Sequence, residues 1–155
     1  MTNVFHDVHA SLCLDREFMD EARVSELLQL KADEILNIGM FGVQEGRRRD
    51  AYFRWIYSTE GRVKGNHVIE HLSHLLDECA TRGGSIQALR DEGYTIYISC
   101  YVLLSEEEPY VGPPKPNDTR VPENPAIGAT LILDVSTLSR LSQAGLALRF
   151  GLYAM

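Results

Sequence analysis

The feature that most restricts the fold is a long alternation of apolar and polar side chains over residues 94–104. One set of alternate positions holds Ile96, Ile98, Cys100 and Val102, and the other set holds Tyr97, Ser99 and Tyr101. Successive side chains of an extended strand point to opposite faces of a sheet, so this alternation predicts a strand with one buried face. We therefore expect a long central strand whose apolar side is covered by helices.

Four further segments have the composition of strands. They are residues 8–14, 51–57, 128–133 and 147–153. Between the first two of these, residues 31–50 contain three glycines among mixed apolar and charged side chains, and we predict an irregular chain there.

Helices are predicted between the strands. The clearest one has Asn66 as its N-cap, carries apolar residues at i, i+3 and i+4 spacing, and stops at Gly83 and Gly84. Shorter helices are predicted after a cap at Asp20, over residues 85–91, and between a cap at Ser136 and Gly145.

These elements predict an α+β fold: an antiparallel or mixed sheet of about five strands, with helices packed on one face. Residues 10–15 also resemble residues 129–134, and a true repeat would give two strand-helix-strand halves, as in ferredoxin-like folds. A length of 155 residues with 45% hydrophobic residues suits a single domain covering residues 1–155.

One segment, residues 105–126, fits neither a helix pattern nor a strand pattern. Residues 105–126 contain all six prolines of the chain, together with Glu106, Glu107 and Glu108. Structureless loops of this length are uncommon in compact domains and usually functional or mobile. We expect a long acidic loop that could project from the edge of the sheet.

Cysteine usage and hydropathy predict where the protein works. The three cysteines are an odd number without a CxxC pair, which favours reduced core residues over a disulfide framework. No stretch is long and apolar enough to span a membrane, and the first residues lack the pattern of a secretion signal. We expect a cytoplasmic protein without membrane partners.

The formal net charge of −7 opposes nucleic-acid binding. Affinity for a phosphate backbone comes largely from clustered Lys and Arg, and an acidic surface repels it. We therefore expect no nucleic-acid partner.

Several segments together resemble the bacterial family called domain of unknown function 4279. They are Ser-Leu-Cys-Leu at residues 11–14, a strand with a central Trp55, Asn-His-Val-Ile-Glu-His-Leu at residues 66–72, and Phe-Gly-Leu-Tyr at residues 150–153. The resemblance covers most of the chain and implies its fold. It brings no catalytic residue with it, because each matching segment is a packing pattern.

The best chemical candidate is a stripe of histidines on the long helix. At 100° per residue, His67, His71 and His74 lie near one another beside the apolar face. A His pair at i and i+4 can chelate zinc, which makes a metal-binding domain or metal-dependent enzyme one hypothesis. The alternative is that these histidines pack at the boundary between helix and sheet, with no cofactor bound.

Binding is favoured over catalysis, because no nucleophile motif or phosphate-binding loop is present. The leading hypothesis is an immunity-type inhibitor that covers a basic bacterial toxin with its acidic surface. Its candidate contacts are Glu106, Glu107, Glu108, Tyr110 and Asp118. A small-molecule sensor domain is the third hypothesis, and the sequence leaves the oligomeric state open.

Overall fold

The computed structural model describes residues 5–39, 51–104 and 133–154. These residues form five strands and four helices. In chain order they are β1 (Phe5–Arg16), α1 (Glu21–Leu28), β2 (Glu34–Ile38), β3 (Tyr52–Ser58), α2 (Val68–Ala80), α3 (Gly83–Asp91), β4 (Thr95–Leu104), α4 (Val135–Ala144) and β5 (Ala147–Ala154).

The five described strands form one mixed sheet in the order β2-β3-β1-β4-β5. Strand β1 is antiparallel to both of its neighbours, β2 is antiparallel to β3, and β5 runs parallel to β4. The helices form a layer on one face, where α2 packs on β1 and is flanked by α3 and α4. The predicted α+β class with a mixed sheet is confirmed.

Strand β2 corrects the prediction of an irregular chain over residues 31–50. Its five residues pair with β3, and Ile35 lies opposite Trp55 at the rim of the core. The segment is too short for a clear alternation, and the glycines that follow it suggested a loop. The strand predicted at residues 128–133, and the internal repeat that depends on it, lie almost wholly outside the described residues.

Two helix boundaries also differ from those predicted. The N-cap of α2 is His67 and not Asn66, and the helix ends at Ala80. Gly83 and Gly84 do not terminate α2, because the chain turns at Thr81 and these glycines begin α3.

Aspartate side chains cap α1 and α4. Asp20 accepts a hydrogen bond from the backbone N–H of Arg23, as expected for the cap of α1. In α4 the cap is Asp134 and not Ser136, since its Oδ1 accepts from Thr137 N at 2.7 Å. That helix ends at Gly145, whose φ of 64° is the left-handed conformation that glycine adopts without strain.

The core lies between the sheet and the helices. From β1 it receives alternate residues that are at most 2% exposed, namely Val8, Ala10, Leu12 and Leu14. Strand β3 contributes Trp55, and the side of α2 that faces the sheet contributes Leu72 and Leu75. Side chains of the other parity on β1, β3 and β4 therefore lie on the opposite side of the sheet, which we call the open face.

One buried polar contact joins the sheet to α2. The backbone N–H of Ala10 donates to Thr59 Oγ1 at 2.9 Å, and the same oxygen lies 2.6 Å from His71 Nδ1. His71 Nε2 lies 2.9 Å from the carbonyl of Gly65, which can only accept, so Nε2 carries a proton. The Thr59 hydroxyl can donate to Nδ1 while its oxygen accepts from Ala10, which gives every polar group of the network a partner.

Replacing Thr59 by Val keeps its shape but removes the shared hydroxyl. Ala10 N–H and His71 Nδ1 would then be buried without partners, and we expect the free energy of unfolding to fall by about 2 kcal/mol or more. Urea denaturation measures this loss. Thr59→Ser keeps the hydroxyl and should lose about 1 kcal/mol, and Thr95→Val on exposed β4 surface should change stability by less than about 0.5 kcal/mol. Equal stability of Thr59→Val and wild type would contradict the network.

Candidate functional site

The three histidines of the predicted stripe do not lie in equivalent positions. His67 is the exposed N-cap of α2, His71 is 1% exposed, and His74 is half-buried. Both ring nitrogens of His71 already have partners, Thr59 and the carbonyl of Gly65. A metal ion on His71 would therefore have to break a buried hydrogen bond.

No group of three or more His, Cys, Asp or Glu side chains within residues 5–39, 51–104 and 133–154 is placed to hold a metal ion. The stripe thus supplies neighbouring imidazoles on one helix but no ligand from a second segment. His74 Nε2 is shielded from solvent and has no hydrogen-bond partner among the described residues. The boundary position predicted as the alternative describes His71 better than a metal site does.

The three thiols are buried: Cys79 and Cys100 lie in the core, and Cys13 lies on the open face near Tyr97 and Arg54. Burial raises the pKa of Cys13, Cys79 and Cys100 to about 11, against an ordinary value near 9. A thiolate is the reactive form of cysteine, so these side chains are poor nucleophiles at neutral pH.

The candidate partner contacts Glu106, Glu107, Glu108, Tyr110 and Asp118 lie outside the described residues. The structure fixes only where the chain leaves the sheet before them. Leu104 is the last residue of β4, and it pairs with Phe5 on one side and Ala154 on the other. The acidic run therefore follows, in the sequence, the end of the sheet at which β5 also ends.

The open face carries an ion-pair network that the sequence did not reveal. Arg54 on β3 makes two hydrogen bonds to the carboxylate of Asp15 on β1, at 2.8 and 3.1 Å. The hydroxyl of Tyr97 on β4 donates to the same carboxylate at 3.0 Å. The pKa of Arg54 is raised, chiefly by its hydrogen bond to Asp15, and burial is the main cause that raises the pKa of Tyr97.

A second guanidinium covers the same tyrosine. The central carbon of Arg149, on β5, lies 4.0 Å from the centre of the Tyr97 ring, a cation–π geometry. Among the described residues Arg149 has no carboxylate partner. The open face thus presents one paired cation, Arg54, and one cation whose charge is not neutralised by a described neighbour.

Three rings stack side by side on the open face. His9 on β1 lies 4.6 Å from Tyr101 on β4, which in turn lies 4.8 Å from Tyr153 on β5. The tyrosine of β5 lies across Gly151, because a Cβ at that glycine would come within 2.8 Å of the Tyr153 ring. Gly151 therefore permits the third ring to join the stack.

The aromatic residues of the strands divide between the two faces. Trp55 and Tyr57 are buried in the core, whereas Tyr52, Tyr97 and Tyr101 lie on the open face. The sequence predicted core packing for Trp55, and that prediction is confirmed.

Large apolar side chains are exposed at the β5 side of the sheet. Leu152 is 64% exposed, Tyr153 53%, Leu138 50% and Phe150 38%. On α4, Arg140 contacts Asp77 of α2, and Leu138 lies about 200° around the helix from Arg140, on the flank away from α2. We call Leu138, Phe150, Leu152 and Tyr153 the outer patch.

Comparison with known proteins gives one match. The family model described as "Domain of unknown function (DUF4279)" matches residues 6–155, so the chain belongs to this family. No curated protein and no solved structure matches the chain. No helix within the described ranges has both the length and the apolar character needed to cross a bilayer.

The buried thiols give a direct test of the absence of a cysteine nucleophile. With a pKa of about 11, on the order of one thiol in a thousand is ionised at pH 8, and burial also blocks access. We expect the three cysteines to react slowly with an aromatic disulfide reagent in the native state and rapidly in urea. A cysteine that reacts in the native state at the rate of a free thiol would contradict this assignment.

Proposed function

We propose that this member of the family is a non-enzymatic protein-binding domain, whose partner covers the outer patch beside β5. We further propose that the partner is a basic bacterial toxin, which makes the domain an immunity-type inhibitor. The observation that carries the proposal is the exposure of Leu138, Phe150, Leu152 and Tyr153 on neighbouring elements.

Exposed apolar side chains indicate an interaction site when they are large and close together. Single apolar residues on a surface are normal, whereas groups of them mark interaction sites. Phe150 and Leu152 have the same parity on β5, so both lie on the helix side, where Leu138 also projects away from α2. Tyr153 lies on the other face of β5 and extends the outer patch around this strand. Aromatic residues are enriched at the centres of interfaces.

The acidic charge supports a basic partner. A net charge of −7 steers a cationic protein toward the domain and repels anionic ones. Glu106, Glu107 and Glu108 follow Leu104, which pairs with Ala154 at the end of β5 next to Leu152 and Tyr153. Protein interfaces commonly have an apolar centre and a polar rim, and we propose these two parts of the chain for those roles.

The chemistry of the described residues supports binding more than catalysis. The thiols have raised pKa values, both nitrogens of His71 are hydrogen-bonded, and Asp15 is neutralised by Arg54. A metal-dependent reaction at His67, His71 and His74 would need a rearranged helix face. No observation in the described residues favours that alternative.

Replacing Leu152 by Asp should weaken partner binding at least tenfold. The substitution places a charge at the centre of the outer patch, and truncating a central apolar contact commonly costs more than 1 kcal/mol of binding free energy. The measurement is a binding titration against a candidate basic toxin, together with rescue of growth when that toxin is expressed.

Phe18→Asp is the matched control. Phe18 is 72% exposed, but it follows the end of β1 at which Asp15 pairs with Thr95, the opposite end of the sheet from Leu104. This variant should bind and rescue like wild type. If both aspartate variants bind with wild-type affinity, the outer patch is not the interface.

Reversing the three glutamates tests the acidic segment separately. Glu106, Glu107 and Glu108 changed together to Lys should slow association with a basic partner about tenfold at low salt and flatten its salt dependence. The control reverses Glu17, Glu21 and Glu26, which give the same net charge at the other end of the sheet. Stopped-flow measurements give the association rates of the two triple variants. Equal rates would show that the position of the three reversed charges does not affect association.

A further inference from the structure

A row of small hydroxyl side chains crosses the open face. Ser58 on β3 is paired with Ser11 on β1, and Ser11 is paired with Ser99 on β4. The next residue in the same row is Arg149 on β5, which pairs with Ser99. Directly opposed side chains are about 5 Å apart, so three hydroxyls and a guanidinium follow one another across four strands.

Bulky residues stand on both sides of this row. On one side, two residues along the strands from Ser11 and Ser99, lie His9 and Tyr101. On the other side, two residues from Ser99, lies Tyr97, whose ring is covered by Arg54 and Arg149. Residues two apart on a strand are about 7 Å apart, so the walls leave a trough with serines as its floor. Ser11 and Ser58 are each 9% exposed, which agrees with a recessed floor.

Polar groups at the trough lack partners within the described residues. Arg149 has no carboxylate neighbour there, and the hydroxyls of Ser11 and Ser99 make no side-chain hydrogen bond to another described residue. His9 Nδ1, at the wall, is shielded from solvent and likewise has no partner among these residues. Because His9 Nδ1 is closed to solvent, it belongs to the wall; the groups that a ligand in the trough can reach are the exposed guanidinium of Arg149 and the hydroxyls that border it.

The geometry points to a binding site for a small oxyanion, a carboxylate or phosphate group, in the trough between the His9–Tyr101 wall and Tyr97. Arg149 supplies the charge and a fork of N–H donors, and the hydroxyls of Ser11 and Ser99 donate from the floor. Asp15, the carboxylate that the described residues place nearest Tyr97, is neutralised by two hydrogen bonds from Arg54 and one from Tyr97. Repulsion of an anion by Asp15 is therefore reduced.

The site differs from the proposed protein interface in position and in chemistry. The outer patch is apolar and largely on the helix side of β5, whereas the trough crosses β3, β1, β4 and β5 on the open face. Tyr153, which stacks on Tyr101, is the member of the outer patch that borders the trough. An oxyanion site gives the domain a ligand of its own, and its occupancy can be measured without any protein partner.

The test is a titration of the full chain with inorganic phosphate and, separately, with acetate at constant ionic strength. Amide ¹H–¹⁵N spectra should show saturable shifts at Ser11, Ser99 and Arg149, and none at Ser139 on the exposed side of α4. Tighter binding of phosphate indicates a phosphate-bearing ligand, and tighter binding of acetate indicates a carboxylate-bearing one.

Arg149→Gln should weaken anion binding at least tenfold, because charge-assisted hydrogen bonds are about twice as strong as neutral ones. Arg149→Lys should retain part of the affinity, and Ser99→Ala should weaken it without removing the charge. The matched control is Arg140→Gln, which removes one positive charge from α4, in the helix layer on the other face of the sheet, and should bind like wild type.

Two results would overturn the site: no saturable shift of wild type with either anion, or equal affinity of wild type and Arg149→Gln. The Leu152→Asp variant should bind the anion like wild type even where it has lost its protein partner. Failure of the oxyanion site and failure of the protein interface are therefore distinguishable.

Discussion

Strand β1 is hydrogen-bonded along both edges, to β3 on one side and to β4 on the other, and the rest of the described fold depends on its register. A shift by one residue would move Val8, Ala10, Leu12 and Leu14 from the core to the open face. Thr59 fixes this register at one point. Its N–H donates to the carbonyl of Ala10, its hydroxyl oxygen accepts from the N–H of Ala10, and the same hydroxyl reaches His71. Sheet pairing and helix packing are thereby set together at a single residue.

The strands and the long helix could be predicted because their periodicities are strong. Alternation over β1 and β4 and the apolar stripe of α2 each identify one buried face, and helix ends follow from local capping chemistry to within a few residues. Strand β2 could not be predicted, since five residues that gain their order by pairing with β3 carry little signal of their own. Gly83 and Gly84 were wrongly predicted to end α2, because glycine commonly follows a helix, whereas here the chain turns at Thr81 and the two glycines form the first turn of α3.

The site was harder to predict than the fold. Asp15, Arg54 and Tyr97 are far apart in the sequence and meet only because three strands adopt one particular register. The same holds for Ser11, Ser58 and Ser99, whose row has no counterpart in any local motif. His71 was visible as part of a helical stripe, but its partners Thr59 and Gly65 precede α2, so its buried hydrogen bonds could not be read from the helix.

The parallel pairing of β4 and β5 has a consequence for the chain that connects them. A hairpin loop fixes the register of the strands it joins, so its length is constrained. Here the position of β5 is set instead by the tight link from α4 through Gly145 and by the packing of α4 on α2. Because β4 and β5 are not joined by a hairpin, the register of this strand pair does not by itself limit the length or the charge of the segment between Leu104 and Leu133.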